Sequence, residues 1–154
     1  MTSDFYKNLP KKRMSAGAVI FNEKNELLIV KPSYKEGWSI PGGIVDENES
    51  PRAACLREVK EEVGIELPHV KFLCIDYMTP RDEKGEFLIF IFYGGVLDQD
   101  QTARIKIQQD EISEHRFVNL EDARELLRSN LSRRVPKCVE ALRNNTGIYL
   151  EDGN

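Results

Sequence analysis

Thiol, imidazole and indole are scarce in this 154-residue chain: it holds three cysteines, two histidines and one tryptophan. Cys55, Cys74 and Cys138 are odd in number and nowhere in C-x-x-C spacing, so the pattern gives neither a zinc framework nor a disulfide scaffold. They read as small core residues of a protein in a reducing cytosol, and a cytoplasmic location is expected. His69 and His115 have no partner at ligand spacing and read as structural. No apolar run approaches the ~20 residues that span a bilayer; the longest, FLIFIFY at 87–93, reads as a buried strand. The opening MTSDFYKNLPKKRMSAG lacks the apolar stretch of a secretion signal. Basic residues are scattered apart from Lys11-Lys12-Arg13 and Arg133-Arg134, in a chain of net charge -4. The basic stripe of a nucleic-acid binder is missing. Neither a membrane nor a nucleic-acid partner is expected, and an anionic ligand needs something other than bulk charge to hold it.

What is present is a balanced globular composition, 40% hydrophobic and 31% charged, of a length that suits one domain with one core. Apolar runs at 16–22 and 27–31 flank Glu23-Lys24-Asn25-Glu26, a hairpin turn. Their near-continuous apolarity argues burial on both faces, with helices covering the sheet. A short strand at 38–40 ends at Pro41-Gly42-Gly43, and further strands are expected at 70–78, 86–97 and 116–119. Capping chemistry predicts three helices. One starts with Ser50 as N-cap and Pro51 as its first residue, and stops near Gly64. One follows Asn119, with Asp122 as a capping partner, and runs through ARELLRS. The last starts near Ser132, with Pro136 about the first turn, and ends near Asn144-Asn145-Thr146-Gly147. The core is expected over 14–145 and the final EDGN is expected to fray.

The first helix carries the chemistry. Its sequence REVKEE puts Glu58, Glu61 and Glu62 on one helical turn. A helical wheel assigns Leu56, Val59 and Val63 to the core face and the three carboxylates to roughly the opposite face, with Ala54 between them. A charge run at this spacing is usually a solvated face, and exposed like-charge pairs cost only a few tenths of a kcal/mol. The alternative is a divalent-cation site of oxygen ligands. At an effective dielectric near 20, two charges ~6 Å apart repel by roughly 3 kcal/mol, so three partly buried carboxylates are stable mainly with a metal among them.

Gly43, Glu49, Arg57, Glu58, Val59, Glu61, Glu62, Gly64 and Ile65 stand at G-x5-E-x7-R-E-U-x-E-E-x-G-U, U being a bulky aliphatic. This resembles the signature of the Nudix hydrolases at every specified position. Seven fixed positions at ~6–7% usage each match by chance about once in 10⁸ windows. WSIPGG before it and DEISEHRFVNLEDA after it extend the resemblance over roughly residues 14–130.

The resemblance implies a single α+β domain, an α/β/α sandwich around a mixed sheet. It also implies hydrolysis of a nucleoside diphosphate linked to another group, with Mg²⁺ or Mn²⁺. Glu58, Glu61 and Glu62 then stand as metal ligands, joined by the Gly42 carbonyl. Glu49 stands beside the helix as an outer ligand or as the partner of Arg57, and Arg57 orients Glu58 or Glu49. Gly43 and Gly64 serve the backbone bends at either end of the helix. The general base is Glu58 or Glu61 on the helix, or Glu111 or Glu114 in QQDEISEHR. Trp38 is a candidate for stacking on a base, though packing beside the helix is its commoner role. Lys31 and Arg81 are candidates for phosphate or ribose contacts, as are Arg104 and Lys106.

Pro80, 15 residues past Ile65, matches a family regularity associated with ADP-ribose, and this leans the substrate toward a small sugar nucleotide. Clean-up of ordinary or oxidised nucleoside triphosphates is the alternative. A second is a nucleotide sensor that does not hydrolyse, disfavoured because no box carboxylate is degenerate. RNA decapping is disfavoured by the missing basic stripe. Asp98-x-Asp100 hints at a calcium loop, but no glycine or glutamate follows at EF-hand spacing. The resemblance also admits a homodimer.

Overall fold

A computed structural model describes residues 2–154. In chain order the elements are α1 (Ser3–Lys7), β1 (Arg13–Asn22), β2 (Leu27–Pro32), β3 (Gly42–Ile44), α2 (Pro51–Val63), β4 (Lys71–Met78), β5 (Phe87–Leu97), α3 (Gln99–Ala103), β6 (Ile112–Val118), α4 (Leu120–Leu126), α5 (Ser129–Arg143) and β7 (Ile148–Glu151). The seven strands make one mixed sheet in the order β6-β2-β1-β5-β4-β7, with β3 added against β1. β1 pairs in parallel with β5, and β4 with β7; the other pairings are antiparallel.

Strand alternation sorts the apolar residues onto two faces. Ala18, Ile20, Leu28 and Val30 pack with Ala54, Cys55, Val59 and Val63 of α2. Val19, Phe21, Leu27 and Ile29 pack with Ala123 of α4, with Leu127, and with Val135, Cys138 and Val139 of α5. Both faces of the sheet are covered, as the unbroken apolar runs predict. No described helix is long and apolar enough to cross a membrane.

α2 is bounded as its capping chemistry predicts. The Ala53 N–H donates to Ser50 Oγ at 3.0 Å, Pro51 opens the helix, and Gly64 closes it at φ 73°, a left-handed turn that favours glycine. Its buried face differs from the wheel. Ala54, Cys55, Val59, Glu62 and Val63 are buried, whereas Leu56 is half-buried. The stripe is rotated because the sheet takes the small residues Ala54 and Cys55, and this carries Glu62 inward.

Elsewhere the structure corrects the sequence reading. Residues 38–40 form only isolated bridges, Ser39 with Val30 and Trp38 with Leu127, and Gly42–Ile44 is the strand that joins β1. The late strand begins at Ile112, earlier than expected. α5 starts at Ser129 rather than near Ser132, because extended backbone at Leu127 and Arg128 breaks the chain between α4 and α5. Pro136 therefore lies well inside α5. Asp98 and Gln101 form a capping box for the unforeseen α3, with Asp100 in its first turn.

The C-terminal segment does not fray. β7 pairs with β4, and the Gly153 N–H donates to Asp76 Oδ1 at 3.1 Å. Asp76 and Arg134 form a fully buried ion pair at 2.6 Å. The segment stays because it supplies a hydrogen bond that this buried carboxylate needs.

Candidate active site

β3 and α2 bring backbone and carboxylate together. Gly42 lies against β1 so closely that a Cβ there would meet Ala16 O at 2.4 Å. Gly43 lies equally close to the side chain of Glu58, with a would-be Cβ 2.5 Å from its Cδ. Gly43 serves as this close approach, inside a strand, rather than as a bend into the helix.

A third element closes on the same point. The Lys106 N–H donates to Val63 O at 2.9 Å and the Gln108 N–H to Glu62 O at 3.0 Å, tying the loop before β6 to the end of α2. The loop turns through the Glu111 N–H donating to Gln108 O at 3.0 Å, and the Ser33 N–H donates to Glu111 O at 2.8 Å. One carboxylate oxygen each from Glu58, Glu62 and Glu111 then lie within 4.8 Å of one another. Glu61 is not in this group. Its side chain is 47% exposed and accepts from Arg57 at 3.2 Å.

Burial and like charge dominate the electrostatics of this point. Burial, then the charge of Glu58, pushes the Glu62 carboxyl up to about 8, against a pull from the Gly42 N–H. Burial also raises Glu58, opposed by Arg57. Glu62 Oε2 is buried without a hydrogen-bond partner. Three oxygen donors on one point, one of them orphaned, fit a hard divalent cation.

Arg57 fixes the geometry around this point. It donates to both oxygens of Glu49 at 2.7 and 2.9 Å, to Glu58 Oε1 at 2.9 Å and to Ile44 O at 3.1 Å. The Glu49 carboxyl is held down at about 2, chiefly by its hydrogen bond from Arg57. Glu49 also accepts from the Asp46 N–H at 3.0 Å. Arg57 thus joins the loop before α2, the strand β3 and the carboxylate of Glu58 in one bidentate fork.

Above the carboxylates opens a cleft of about 920 Å³, lined by Gly42, Gly43, Glu58, Glu62 and Glu111 and also by Tyr34, Lys35, Arg81, Lys84 and Arg128. Of the basic residues singled out in the sequence, Arg81 lines this cleft. Lys31 and Trp38 do not line the cleft. Lys31 sits on β2 opposite Glu114 of β6. Trp38 is 6% exposed among the core residues against α4 and α5, with the Arg116 guanidinium 4.7 Å from its ring centre. The stacking role is corrected to packing: Trp38 anchors the backbone between α4 and α5, where its carbonyl accepts from Arg128 N–H at 3.2 Å. Glu114 pairs with Arg116 at 2.7 Å, away from the cluster. Lys35 and Lys84 escaped the sequence reading because they stand in polar turns, and Arg128 because it fell within the helix expected through ARELLRS; only folding brings them to one cleft.

Comparison with known proteins places the family and the fold. A family model described as "NUDIX domain" matches residues 11–138. An RNA pyrophosphohydrolase of Hydrogenovibrio crunogenus is 43% identical over 61 residues, covering 40% of this chain and 37% of that protein. An ADP-ribose pyrophosphatase of Methanocaldococcus jannaschii is 31% identical over 105 residues, 66% of this chain and 59% of that protein. The matches thus span under two thirds of either relative. Among solved structures, the MutT protein of Methanosarcina mazei aligns with a TM-score of 0.69 at 26% identity, over 90% of this chain and 99% of that one. The chain belongs to the NUDIX family, whose hydrolases act on diphosphate bonds with divalent metal ions.

Proposed function

We propose that this protein hydrolyses the diphosphate of a nucleoside diphosphate joined to another group, ADP-ribose or a related sugar nucleotide being the first candidate, with Mg²⁺ or Mn²⁺. The convergence of Glu58, Glu62 and Glu111 beneath an open cleft carries this reading. Glu58, Glu62 and the Gly42 carbonyl would hold the cation, with Glu61 at the margin. A bound cation of this kind supplies charge neutralisation to the phosphate oxygens and acidity to a bound water.

The chain's own residues do the rest. Arg57, locked by Glu49, holds Glu58 in one rotamer, so the site needs little rearrangement during reaction. Glu111, on the loop rather than the helix, takes the proton of the attacking water as general base. Arg81 binds phosphate from the far lip. Two features support the sugar-nucleotide preference: Pro80 stands between cleft-lining Thr79 and Arg81, and one relative is named ADP-ribose pyrophosphatase.

A second reading rests on Lys35, Lys84 and Arg128, which no acid pairs among the described residues. They favour a more highly phosphorylated substrate, a nucleoside triphosphate or the 5′ end of an RNA. The latter matches the name of the Hydrogenovibrio relative and reopens a class that the missing basic stripe disfavours.

A panel decides between them: ADP-ribose, nucleotide sugars, NADH, dinucleoside polyphosphates, ordinary and oxidised nucleoside triphosphates and 5′-triphosphate RNA, each with Mg²⁺ and product identification. Turnover stopped by EDTA and restored by Mg²⁺ or Mn²⁺ is expected. No turnover of any diphosphate would sink the reading.

A further inference from the structure

The cleft carries more positive charge than a diphosphate already neutralised by a cation requires. Lys35 follows β2, Lys84 ends the helical turn Asp82–Lys84, and Arg128 precedes α5. All three line the cleft, and in a chain of net charge -4 none has an ion-pair partner among the described residues. Asp82 lies on the same lip without pairing to any of them.

The Lys35 ammonium is shifted down by burial and then by the charges of Arg128 and Lys84, as expected of three cations that line one cleft. Arg128 Nε is buried without a hydrogen-bond acceptor. The first turn of α5 behind it has no acidic residue and no side-chain cap, and Ser129, Asn130 and Leu131 of that turn line the cleft too. An uncapped helix start of this length adds donors and positive potential at the same place. Unpaired cations, an orphaned guanidinium nitrogen and a free helix start lack one thing, an anion.

Tyr34 lines the same cleft as the carboxylates and the cations. Its hydroxyl is raised by burial and by Glu62, Glu111 and Glu58, and lowered by Arg128. Carboxylates and cations line one continuous cleft of about 920 Å³, so one substrate can span from the first to the second.

We propose that Lys35, Lys84 and Arg128 form a subsite for a phosphate group of the substrate other than the two joined by the bond that is cut. This deepens the hydrolase reading and rests on it for its catalytic consequence. The subsite selects, among nucleoside diphosphate derivatives, those that carry one more phosphate.

Matched pairs differing in that phosphate alone test it: ADP against ATP, and ADP-ribose against ADP-ribose 2′-phosphate. Wild-type protein is expected to favour the more phosphorylated member of at least one pair in kcat/KM by about tenfold, the scale of one charge-assisted hydrogen bond. Lys35→Ala and Lys84→Ala, at exposed positions that leave the fold intact, each bring that ratio toward one, mainly through KM. A wild-type ratio near one in both pairs, or a ratio unmoved in both variants, overturns the subsite.

Binding of inorganic phosphate, followed by NMR in EDTA, separates this failure from failure of the hydrolase reading. Shifts at residues 34–37 and 128–131 in wild type, lost when Lys35→Ala and Lys84→Ala are combined, uphold the subsite even if no diphosphate is turned over. Turnover of the pairs without discrimination or phosphate shifts leaves the hydrolase standing and removes the subsite.

Discussion

Gly43 and Glu58 are in contact across the junction of β3 and α2: a methyl group on Gly43 would lie 2.5 Å from both Cδ and Oε1 of Glu58. The glycine is there because the carboxylate occupies the space a side chain would need. Gly43→Ala must push Glu58 off the point it shares with Glu62 and Glu111. Expected is a folded protein with unchanged circular dichroism and kcat reduced about 10²-fold, the cost of misplacing a reacting group by an ångström.

Glu62 makes the metal-free protein sensitive to alkali. Its carboxyl is raised from 4.5 to about 8 on folding. The folded protein therefore keeps a proton that the unfolded chain releases above 4.5, so stability falls as pH rises and the loss is complete above about 8. In EDTA, thermal denaturation is expected to show Tm falling between about pH 5 and pH 8. Glu62→Gln should flatten that fall and melt higher at the alkaline end, while hydrolysis drops by at least about 10³-fold. Equal slopes in the two proteins would refute the placement of this charge.

Arg57 acts through its fork. Lysine keeps the charge but cannot bond both oxygens of Glu49 while also reaching Glu58 and Ile44. Arg57→Lys is expected to lower kcat by about 10–100-fold, with KM within about twofold and a higher Mg²⁺ requirement. Steady-state kinetics over a metal titration check it.

Glu111 and Glu114 lie on one short segment with different surroundings, the first with Glu58 and Glu62 and the second with Arg116. Glu111→Gln should reduce kcat by about 10²–10⁴-fold, whereas Glu114→Gln should stay within about twofold, as an exposed pair contributes little. Single-turnover rates of the two variants decide the assignment of the base.

Asp76→Asn leaves Arg134 charged and buried. Breaking a buried pair from one side costs about 3–5 kcal/mol, and here it also weakens the acceptor for the Gly153 N–H. Urea denaturation should show that loss, with early proteolysis of residues 148–154.

The local sequence determined what depends on local chemistry. Ser50, Pro51 and Gly64 bounded α2, because caps act within one turn. The spacing of Arg57, Glu58, Glu61 and Glu62 named the family and its chemistry. The unbroken apolar runs of β1 and β2 required helices on both faces.

What depends on distance was left to the fold. The rotation of α2 that buries Glu62 was set by which small side chains the sheet accepts. Trp38 became an anchor because α4 and α5 close over it. The C-terminal strand is held by pairing with β4, far away in sequence, and Gly153 just beyond it meets the buried Asp76 carboxylate only in the folded chain. Glu111 met the helix carboxylates only through loop-to-helix hydrogen bonds, and Lys35, Lys84 and Arg128 met one another only across the cleft. Charges far apart in sequence interact once folding brings them together and excludes the water that screened them.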